Sequence, residues 1–148
     1  MESIWEYVIP FSREVLTGIV TDRSPAHIGP YAHAIDFLMP PGSVVLAPRG
    51  GRVIAMKDDG RLGGPSRSFA EHANYVTLAH GQNEFSELVH LAPASIRVSV
   101  GQWVEEGDPL CLTGLTGWLY EPHLHFMVFV TLPDRSFQSR RARFRVPL

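Results

Sequence analysis

Short apolar runs separated by turn residues fill the sequence from residue 15 onward. The runs are rich in Val, Ile, Leu, Phe or Tyr, and clusters containing Gly, Pro or Asp separate many of them. No stretch keeps the helical period of about 3.6 residues over roughly ten positions. The pattern predicts strands at Val15–Val20, Ala32–Leu38, Ser43–Ala47, Gly51–Met56, Tyr75–His80, Phe85–Leu91, Arg97–Val100, Pro109–Thr113, His123–Val130 and Arg141–Val146.

Helices are expected to contribute little to this fold. The pattern allows one or two helical turns at Ser66–His72 or Ala92–Ser95. The chain is therefore predicted to be all-β, a single domain over 1–148 built as a β-sandwich or flattened barrel of antiparallel sheets. Its core is expected at about residues 15–130, and a C-terminal edge strand at 131–148.

Two polar segments qualify this picture. At the C-terminus Arg141, Arg143 and Arg145 alternate with apolar residues, which is typical of an edge strand with one solvated cationic face. The irregular stretch Lys57–Ala73 is polar and contains glycines. It has two interpretations, a flexible surface loop or a wall of a binding cleft.

The composition fits a folded domain and excludes several functional classes. Of 148 residues, 45% are apolar and 19% charged, which is enough for a core and has no signature of disorder. A net charge of −2 gives no electrostatic case for binding nucleic acid or an anionic membrane. The single cysteine, Cys111, excludes an internal disulfide and a cysteine-rich structural zinc site. Function is therefore sought among the seven histidines.

The N-terminus has no basic leader followed by an apolar run. No segment approaches the ~18 uninterrupted apolar residues of a membrane span. As written, the chain is expected to be soluble and to lack a secretion signal. Because a chain trimmed of its signal would look the same, this expectation leaves the compartment open.

A pair of histidines lies in the apolar run near the C-terminal end. His123 and His125 are two residues apart, so both side chains point to the same face of a strand. A zinc ion that does chemistry needs three protein ligands and one open position. Asp36 is the natural carboxylate, because an unpaired charge inside the apolar run Ala34–Leu38 would be costly. Its alternative role is to close a buried hydrogen-bond network.

Two histidines could complete a ligand set with Asp36. His33 stands three residues before Asp36, and along one strand the two would face opposite ways. His27 precedes the turn residues Gly29 and Pro30, which can bring it back to the face of Asp36. We therefore choose His27 and keep His33 as the alternative.

The order of these residues, and of several motifs between them, resembles the lysostaphin/LytM-type zinc metallopeptidases. The family's fold is a β-rich sandwich with a groove over one sheet, and its usual work is hydrolysis of peptide cross-links in bacterial cell walls. Both are what the resemblance implies here. It covers about residues 15–130 and rests on His27…Asp36-Phe37, Gly42–Ala47, Gly51–Val53, Asn74–Val76, His80-Gly81, His90-Leu91, Val100–Gly107, Thr116-Gly117 and Pro122–Phe126.

Residue by residue, the resemblance implies one zinc ion per chain, held by His27, Asp36 and His125. His90 and His123 would be the two catalytic imidazoles. Zinc with two neutral imidazoles and one carboxylate keeps a net charge of about +1, so its water can ionise around pH ~7. The sequence has no HExxH helix to supply a glutamate base. One of the two histidines would therefore accept the water proton, and the other would stabilise the oxyanion.

Other positions bear on support and specificity. His80, before a glycine turn, resembles the family's structural histidine and is expected to support the site or the sheet by hydrogen bonds. Leu88 stands where the family usually has a tyrosine. Trp118 and Tyr120 are expected to line the substrate groove or to serve as packing caps. Glu121 would either pair with an amine of the substrate or repel an anionic one.

The predicted function is zinc-dependent hydrolysis of peptide bonds, with peptidoglycan cross-links or small-residue peptides as substrate. The resemblance implies a periplasmic or cell-envelope location. One alternative is a catalytically silent relative that binds and activates another cell-wall hydrolase, although such relatives typically lose zinc ligands. Another is a biotinyl or lipoyl carrier module with Lys57 at a hairpin tip, which would leave the histidines unexplained.

Overall fold

Thirteen short strands build the part of the molecule that the computed structural model describes, residues 1–22 and 24–148. Three 3-10 helices accompany them, at Arg13–Val15, Gly29–Tyr31 and Arg67–His72, and none is long and apolar enough to cross a membrane. The strands are β1 (Glu2–Tyr7), β2 (Gly18–Val20), β3 (Ile35–Leu38), β4 (Val44–Leu46), β5 (Gly51–Lys57), β6 (Gly63–Gly64), β7 (Tyr75–Gly81), β8 (Glu84–Val89), β9 (Trp103–Val104), β10 (Pro109–Leu112), β11 (Gly117–Trp118), β12 (His123–Thr131) and β13 (Phe137–Phe144).

Nine of these strands form one sheet. Its order is β1-β13-β12-β8-β7-β5-β9, with β3 also paired to β12 and β2 paired to β3. Strands β4 and β10 form a separate antiparallel ribbon, and β6 and β11 form a short parallel pair. The predicted all-β class with little helix is confirmed. Two pairings, β1–β13 and β6–β11, are parallel where the prediction had antiparallel sheets.

The hydrophobic core lies on one face of the nine-stranded sheet. Alternate residues of a strand point to the same side, and in β12 the side chains of Leu124, Phe126 and Val128 are buried in this core. They belong to one cluster with Phe37 of β3 and Val45 of β4, so the β4–β10 ribbon packs against this face. The two histidines of β12 alternate with the core residues and point to the opposite face.

The C-terminal strand is not the edge strand that the arginine pattern predicted. Strand β13 begins at Phe137 rather than Arg141, and its first half pairs with β12. Its second half pairs in parallel with β1, which covers the edge from Arg141 to Phe144. The strand prediction began at residue 15 and therefore missed β1, although Ser3, Trp5 and Tyr7 alternate there with more exposed residues.

A buried carboxylate anchors β1 to the sheet. Glu84 of β8 is only 1% exposed. It accepts hydrogen bonds from the backbone N–H groups of Ile4 and Trp5, at 2.8 and 3.1 Å, and from the Tyr7 hydroxyl at 2.9 Å. These three donors give the buried side chain the hydrogen bonds that explain how a glutamate is tolerated at this depth.

Two further local predictions had different outcomes. The segment Arg97–Val100 was expected to be a strand but forms none, although Arg97 N–H donates to the Leu110 carbonyl at 2.8 Å and Val98 is buried. Val98 packs into the core from a segment that lacks a regular ladder, whereas Val100 is exposed. The helical turns expected at Ser66–His72 are confirmed by the 3-10 helix there, whereas Ala92–Ser95 contains a turn and no helix.

Candidate metal centre and catalytic residues

Two facing strands bring Asp36 and His125 together. In the antiparallel pair of β3 and β12, His125 lies directly opposite Asp36, and His123 lies opposite Leu38. Residues directly opposite each other point to the same face, with Cβ atoms about 5 Å apart. This register explains the charge in the apolar strand β3, because Asp36 faces imidazoles on β12 and not the core.

His27 reaches the same point from the irregular segment before the helix at Gly29–Tyr31. Its Nδ1 contacts the carbonyl oxygen of Thr21. Since a carbonyl oxygen can only accept a hydrogen bond, Nδ1 carries a proton, and Nε2 is the nitrogen left to bind a metal. Nε2 lies 3.1 Å from Asp36 Oδ1, and the ring makes an edge-on contact with that of His125 at 5.9 Å between centroids.

The three side chains fit a zinc ion in donor type and in spacing. Their candidate ligand atoms all lie within 4.8 Å of one another, and His125 Nδ1 is 3.4 Å from Asp36 Oδ1. Two ligands of a tetrahedral zinc ion, each about 2.1 Å from the metal, stand roughly 3.4 Å apart. Two imidazoles and one carboxylate also match catalytic zinc sites, where a fourth position stays open. Within residues 1–22 and 24–148, His27, Asp36 and His125 are the group that converges in this way.

His33 is not part of this group. Strand β3 begins at Ile35, so the predicted strand from Ala32 is too long and His33 lies in the preceding turn. Its backbone N–H donates to Ser139 Oγ of β13 at 3.0 Å. The premise that His33 and Asp36 share one strand was therefore wrong. The choice it led to still agrees with the geometry, because His27 lies beside Asp36 and His33 does not.

His90 and His123 lie next to the candidate ligands, and a backbone carbonyl orients each ring. His123 Nδ1 donates to the Glu121 carbonyl at 2.8 Å, and His90 Nδ1 donates to the Thr116 carbonyl at 2.6 Å. Both rings therefore keep a lone pair on Nε2. His123 Nε2 is 3.5 Å from Asp36 Oδ1, and the two rings are 4.5 Å apart at their centroids.

His90 has an uncommon backbone conformation. Its φ is 75°, a left-handed value that costs a non-glycine residue about 1–3 kcal/mol. The Asn74 carbonyl accepts from the N–H groups of both His90 and Leu91, and the buried Asn74 side chain bonds to the backbone of Gly60 and Leu91. The Thr116 hydroxyl donates to the Leu91 carbonyl at 2.8 Å. Asn74 and Thr116 were noted in sequence motifs, but no role was predicted for either.

Charge on the candidate ligands follows from their mutual contacts. Burial disfavours the Asp36 carboxylate, but hydrogen bonds from His125 and His27 and the nearby His123 outweigh it, so the pKa of Asp36 lies well below its ordinary value. Burial likewise disfavours a charged His125. Its contacts with Asp36 and Glu87 overcome that effect and raise the pKa of His125 to about 9.

The two neighbouring rings are held in the neutral form. Burial, followed by the proximity of His123 and His125, lowers the pKa of His90 to about 3. Burial also lowers the pKa of His123. Neutral rings with a free Nε2 lone pair can accept a proton from a reacting group.

A cavity of about 190 Å³ opens over this cluster. Trp118, Tyr120 and Glu121 line it together with the five clustered side chains. The Trp118 and Tyr120 rings are tilted to each other at 6.3 Å, and Tyr120 is 65% exposed. Aromatic faces at the rim of a cavity that contains reactive groups are suited to contact a ligand.

A second hollow of about 420 Å³ adjoins the first and shares His90, Trp118 and His125 with it. Arg67, Ala70 and Ala73 form part of its lining. These residues belong to the polar segment Lys57–Ala73, so this segment forms a wall of the cleft, the second of its two interpretations.

His80 lies apart from the cluster. Its Nδ1 pairs with the Gly50 carbonyl at 2.9 Å and its Nε2 with the Ser86 hydroxyl at 2.8 Å. The ring also meets Tyr7 edge-on, at 5.3 Å between centroids. These contacts give His80 a place in the hydrogen bonding of the sheet. Leu88 is fully buried in the core and does not reach the cavity.

Glu87 is a site residue that sequence reasoning missed. Its Oε2 lies 3.4 Å from His125 Nε2. It stands on β8 opposite Met127 of β12, which makes it a diagonal neighbour of His125. A glutamate at a half-exposed strand position has the pattern of ordinary surface, and only the register of β8 against β12 reveals the contact.

Comparison with known proteins gives the relationship of this chain to a family. The model of peptidase family M23 matches residues 30–135. Among curated proteins, the peptidoglycan DD-endopeptidase ShyA of Vibrio cholerae is 32% identical over 111 residues, which cover 75% of this chain and 22% of ShyA. The chain spans about a quarter or less of the length of the curated relatives it matches.

Solved structures agree with the fold. A zinc-containing peptidase from Vibrio cholerae superposes with a TM-score of 0.64 at 25% identity, over 97% of this chain and 41% of that one. The catalytic domain of lysostaphin from Staphylococcus simulans has a TM-score of 0.58 at 23% identity, over 82% of this chain and 87% of that one, a likeness of fold alone.

Proposed function

Because this chain belongs to peptidase family M23, we propose that it is a zinc-dependent endopeptidase that hydrolyses peptide cross-links of peptidoglycan. One observation carries the proposal. His27, Asp36 and His125 present ligand atoms within 4.8 Å of one another, and His90 and His123 stand beside them at the same cavity. A complete donor set of this kind favours a catalytic member over a silent module that only activates another hydrolase.

The ligand set is suited to hydrolytic chemistry. Zinc held by His27, Asp36 and His125 would supply Lewis acidity, which polarises a peptide carbonyl and acidifies a water molecule. The rest of the work falls to side chains of this chain. Thr21 fixes the tautomer of His27 through its carbonyl, and β12 fixes the direction of His125 through its ladder bonds.

His90 and His123 would handle the protons. Each ring gives its Nδ1 proton to a backbone carbonyl and keeps a lone pair on Nε2. One Nε2 would accept a proton from the attacking water. The other ring, after taking up a proton from solvent at its own Nε2, would donate a hydrogen bond from that atom to the oxyanion. The two rings lie 4.5 Å apart at their centroids, close enough for both to contact one substrate.

The cavity walls would bind the peptide on either side of the cleaved bond. Trp118 and Tyr120 offer aromatic faces, and Glu121 offers a carboxylate that can pair with a substrate amine. ShyA, which is named a peptidoglycan DD-endopeptidase, supports peptidoglycan peptides as the substrate class. Because peptidoglycan is part of the cell envelope, the chain would act there.

Metal content and hydrolysis test this proposal together. Wild-type protein and His125→Ala are stripped with a chelator, incubated with excess zinc, desalted and analysed for metal. We expect about one zinc ion per wild-type chain and none in the variant, which loses one of three ligands. Each sample is then incubated with purified peptidoglycan, and mass spectrometry identifies the released peptides.

His33→Ala is the matched control, because it removes an imidazole outside the ligand group. It should keep both zinc and activity. Failure of the wild type to bind zinc at neutral pH would remove the mechanism. Bound zinc without hydrolysis of peptidoglycan or of small-residue peptides would favour the silent-module alternative.

A further inference from the structure

We propose that Glu87 is a positioning residue for His125: its carboxylate accepts a hydrogen bond from Nε2–H of that ring and so keeps Nδ1 directed at the metal. The inference deepens the proposed function and rests on it. It concerns a residue on β8 that is neither a candidate ligand nor one of the two catalytic histidines.

The geometry places the carboxylate at the far end of the His125 ring. Nδ1 faces Asp36 Oδ1 at 3.4 Å, and Nε2 faces Glu87 Oε2, also at 3.4 Å. The ring therefore bridges two carboxylates. Both contacts follow from register, because Asp36 is directly opposite His125 on β3 and Glu87 is diagonal to it on β8.

The Nε2 atom of His125 needs an acceptor. It is buried and has no hydrogen-bond partner within the residues that the structure describes. When Nδ1 binds a metal, Nε2 must carry the proton, and a buried donor without an acceptor is costly. Glu87 Oε2 is about 0.5 Å beyond a normal N–H···O distance. Its side chain is 22% exposed, so it has room to close this gap.

A carboxylate in this position has a known physical effect. It fixes which nitrogen of a ligand imidazole carries the proton, limits rotation of the ring, and makes the other nitrogen a stronger ligand. His27 has a carbonyl for this purpose, from Thr21. Glu87 would be the corresponding hydrogen-bond acceptor for His125, and it would add a negative charge that the Thr21 carbonyl lacks.

Zinc affinity is the direct test, measured by competition with a chromophoric chelator at constant pH. Glu87→Leu removes both acceptor and charge and should weaken zinc binding about 10–100-fold. Glu87→Gln keeps an oxygen that can accept a hydrogen bond from Nε2 but loses the charge. Its zinc affinity should therefore lie between those of the wild type and Glu87→Leu. Glu71→Gln and Glu71→Leu are matched controls, because the Glu71 side chain is 83% exposed, and they should leave the affinity unchanged.

Two further measurements separate positioning from other roles. Urea denaturation of the metal-free proteins should show little change for Glu87→Gln, so that a loss of affinity does not reflect a loss of folding. Steady-state kinetics with zinc at saturation should show a lower kcat with little change in KM, since the proposed role is at the metal ligand.

The outcomes distinguish this inference from the proposed function. Unchanged zinc affinity in both Glu87 variants would overturn the positioning role alone. A raised KM with unchanged zinc affinity would do the same and would make Glu87 a substrate contact. Failure of the wild type to bind zinc would overturn the proposed function and this inference with it.

Discussion

Main-chain carbonyls set the tautomers of three histidines at the site. His27, His90 and His123 each pair Nδ1 with a backbone carbonyl oxygen, which leaves the three Nε2 atoms free to act in the cleft. Because the acceptors are backbone atoms, their positions depend on the fold and not on the identity of neighbouring side chains. Backbone atoms thus orient the three histidine rings, whereas side chains form the lining of the cleft.

His90→Ala should keep zinc and lower kcat about 10²–10⁴-fold, the range expected when one proton-transfer or oxyanion group is lost. The reason is that His90 stands beside the three candidate ligands without being one of them. Zinc content by elemental analysis and kcat on a peptidoglycan peptide would check this. Loss of zinc in His90→Ala would instead make His90 a ligand.

Some of the candidate site residues could be predicted because they have a signal on one strand. Asp36 interrupts an apolar run, and His123 and His125 have the two-residue spacing of one strand face. Glu87 has no such signal, because its role depends on how β8 registers against β12. The left-handed backbone of His90 also leaves no trace in its own residue type, since it is imposed by Asn74 and the turn that follows β8.

At the scale of elements, β12 organises the site. It pairs with β3 and β13 along one side and with β8 along the other. Its alternate residues contribute Phe126 to the core and His125 to the cleft. The apolar run that follows His123 was enough to predict strand β12. Strand β1 was missed because the strand prediction began at residue 15, and its ladder partner β13 lies at the other end of the chain.

Glu84→Ala should lower the free energy of unfolding by about 2–4 kcal/mol. The substitution leaves the Tyr7 hydroxyl without its buried acceptor, at about 1–3 kcal/mol. The N–H groups of Ile4 and Trp5 lose the same acceptor at a smaller cost, because these contacts are only partly buried. Urea denaturation would measure the change. Glu6→Ala, at an exposed position on β1, should cost less than about 0.5 kcal/mol. Equal losses in the two variants would contradict the anchoring role of Glu84.

At the scale of the whole molecule, the fold class and the family could both be predicted from the sequence. The lysostaphin/LytM-type resemblance is confirmed by the match to peptidase family M23. The errors lie where strand ends and neighbours depend on distant parts of the chain, as at β1, β13 and Arg97–Val100. The candidate ligands, by contrast, come from positions as far apart as His27 and His125, and the order of motifs was enough to propose them as one set.

Metal removal should destabilise the protein as a whole. A ligand that binds only the folded state stabilises it by about 4 kcal/mol at 1,000 times its Kd. For a chain of this size, we therefore expect a chelator to lower Tm by about 8–16 °C. Differential scanning calorimetry with zinc and with EDTA would measure the shift. His125→Ala should show no response to EDTA, and an unchanged Tm in the wild type would contradict a structural contribution from the metal.

The placement of β12 between two neighbours has a consequence for how the cleft can open. Amide groups of a strand paired on both sides exchange with solvent only when the sheet itself comes apart, whereas a turn with local bonds opens in much smaller fluctuations. His125 lies on a strand that is paired on both sides. His27 lies in a turn, and its N–H donates to the carbonyl of Ser24, three residues away. We therefore expect local opening to expose Asp36 from the side of His27 while the sheet stays intact.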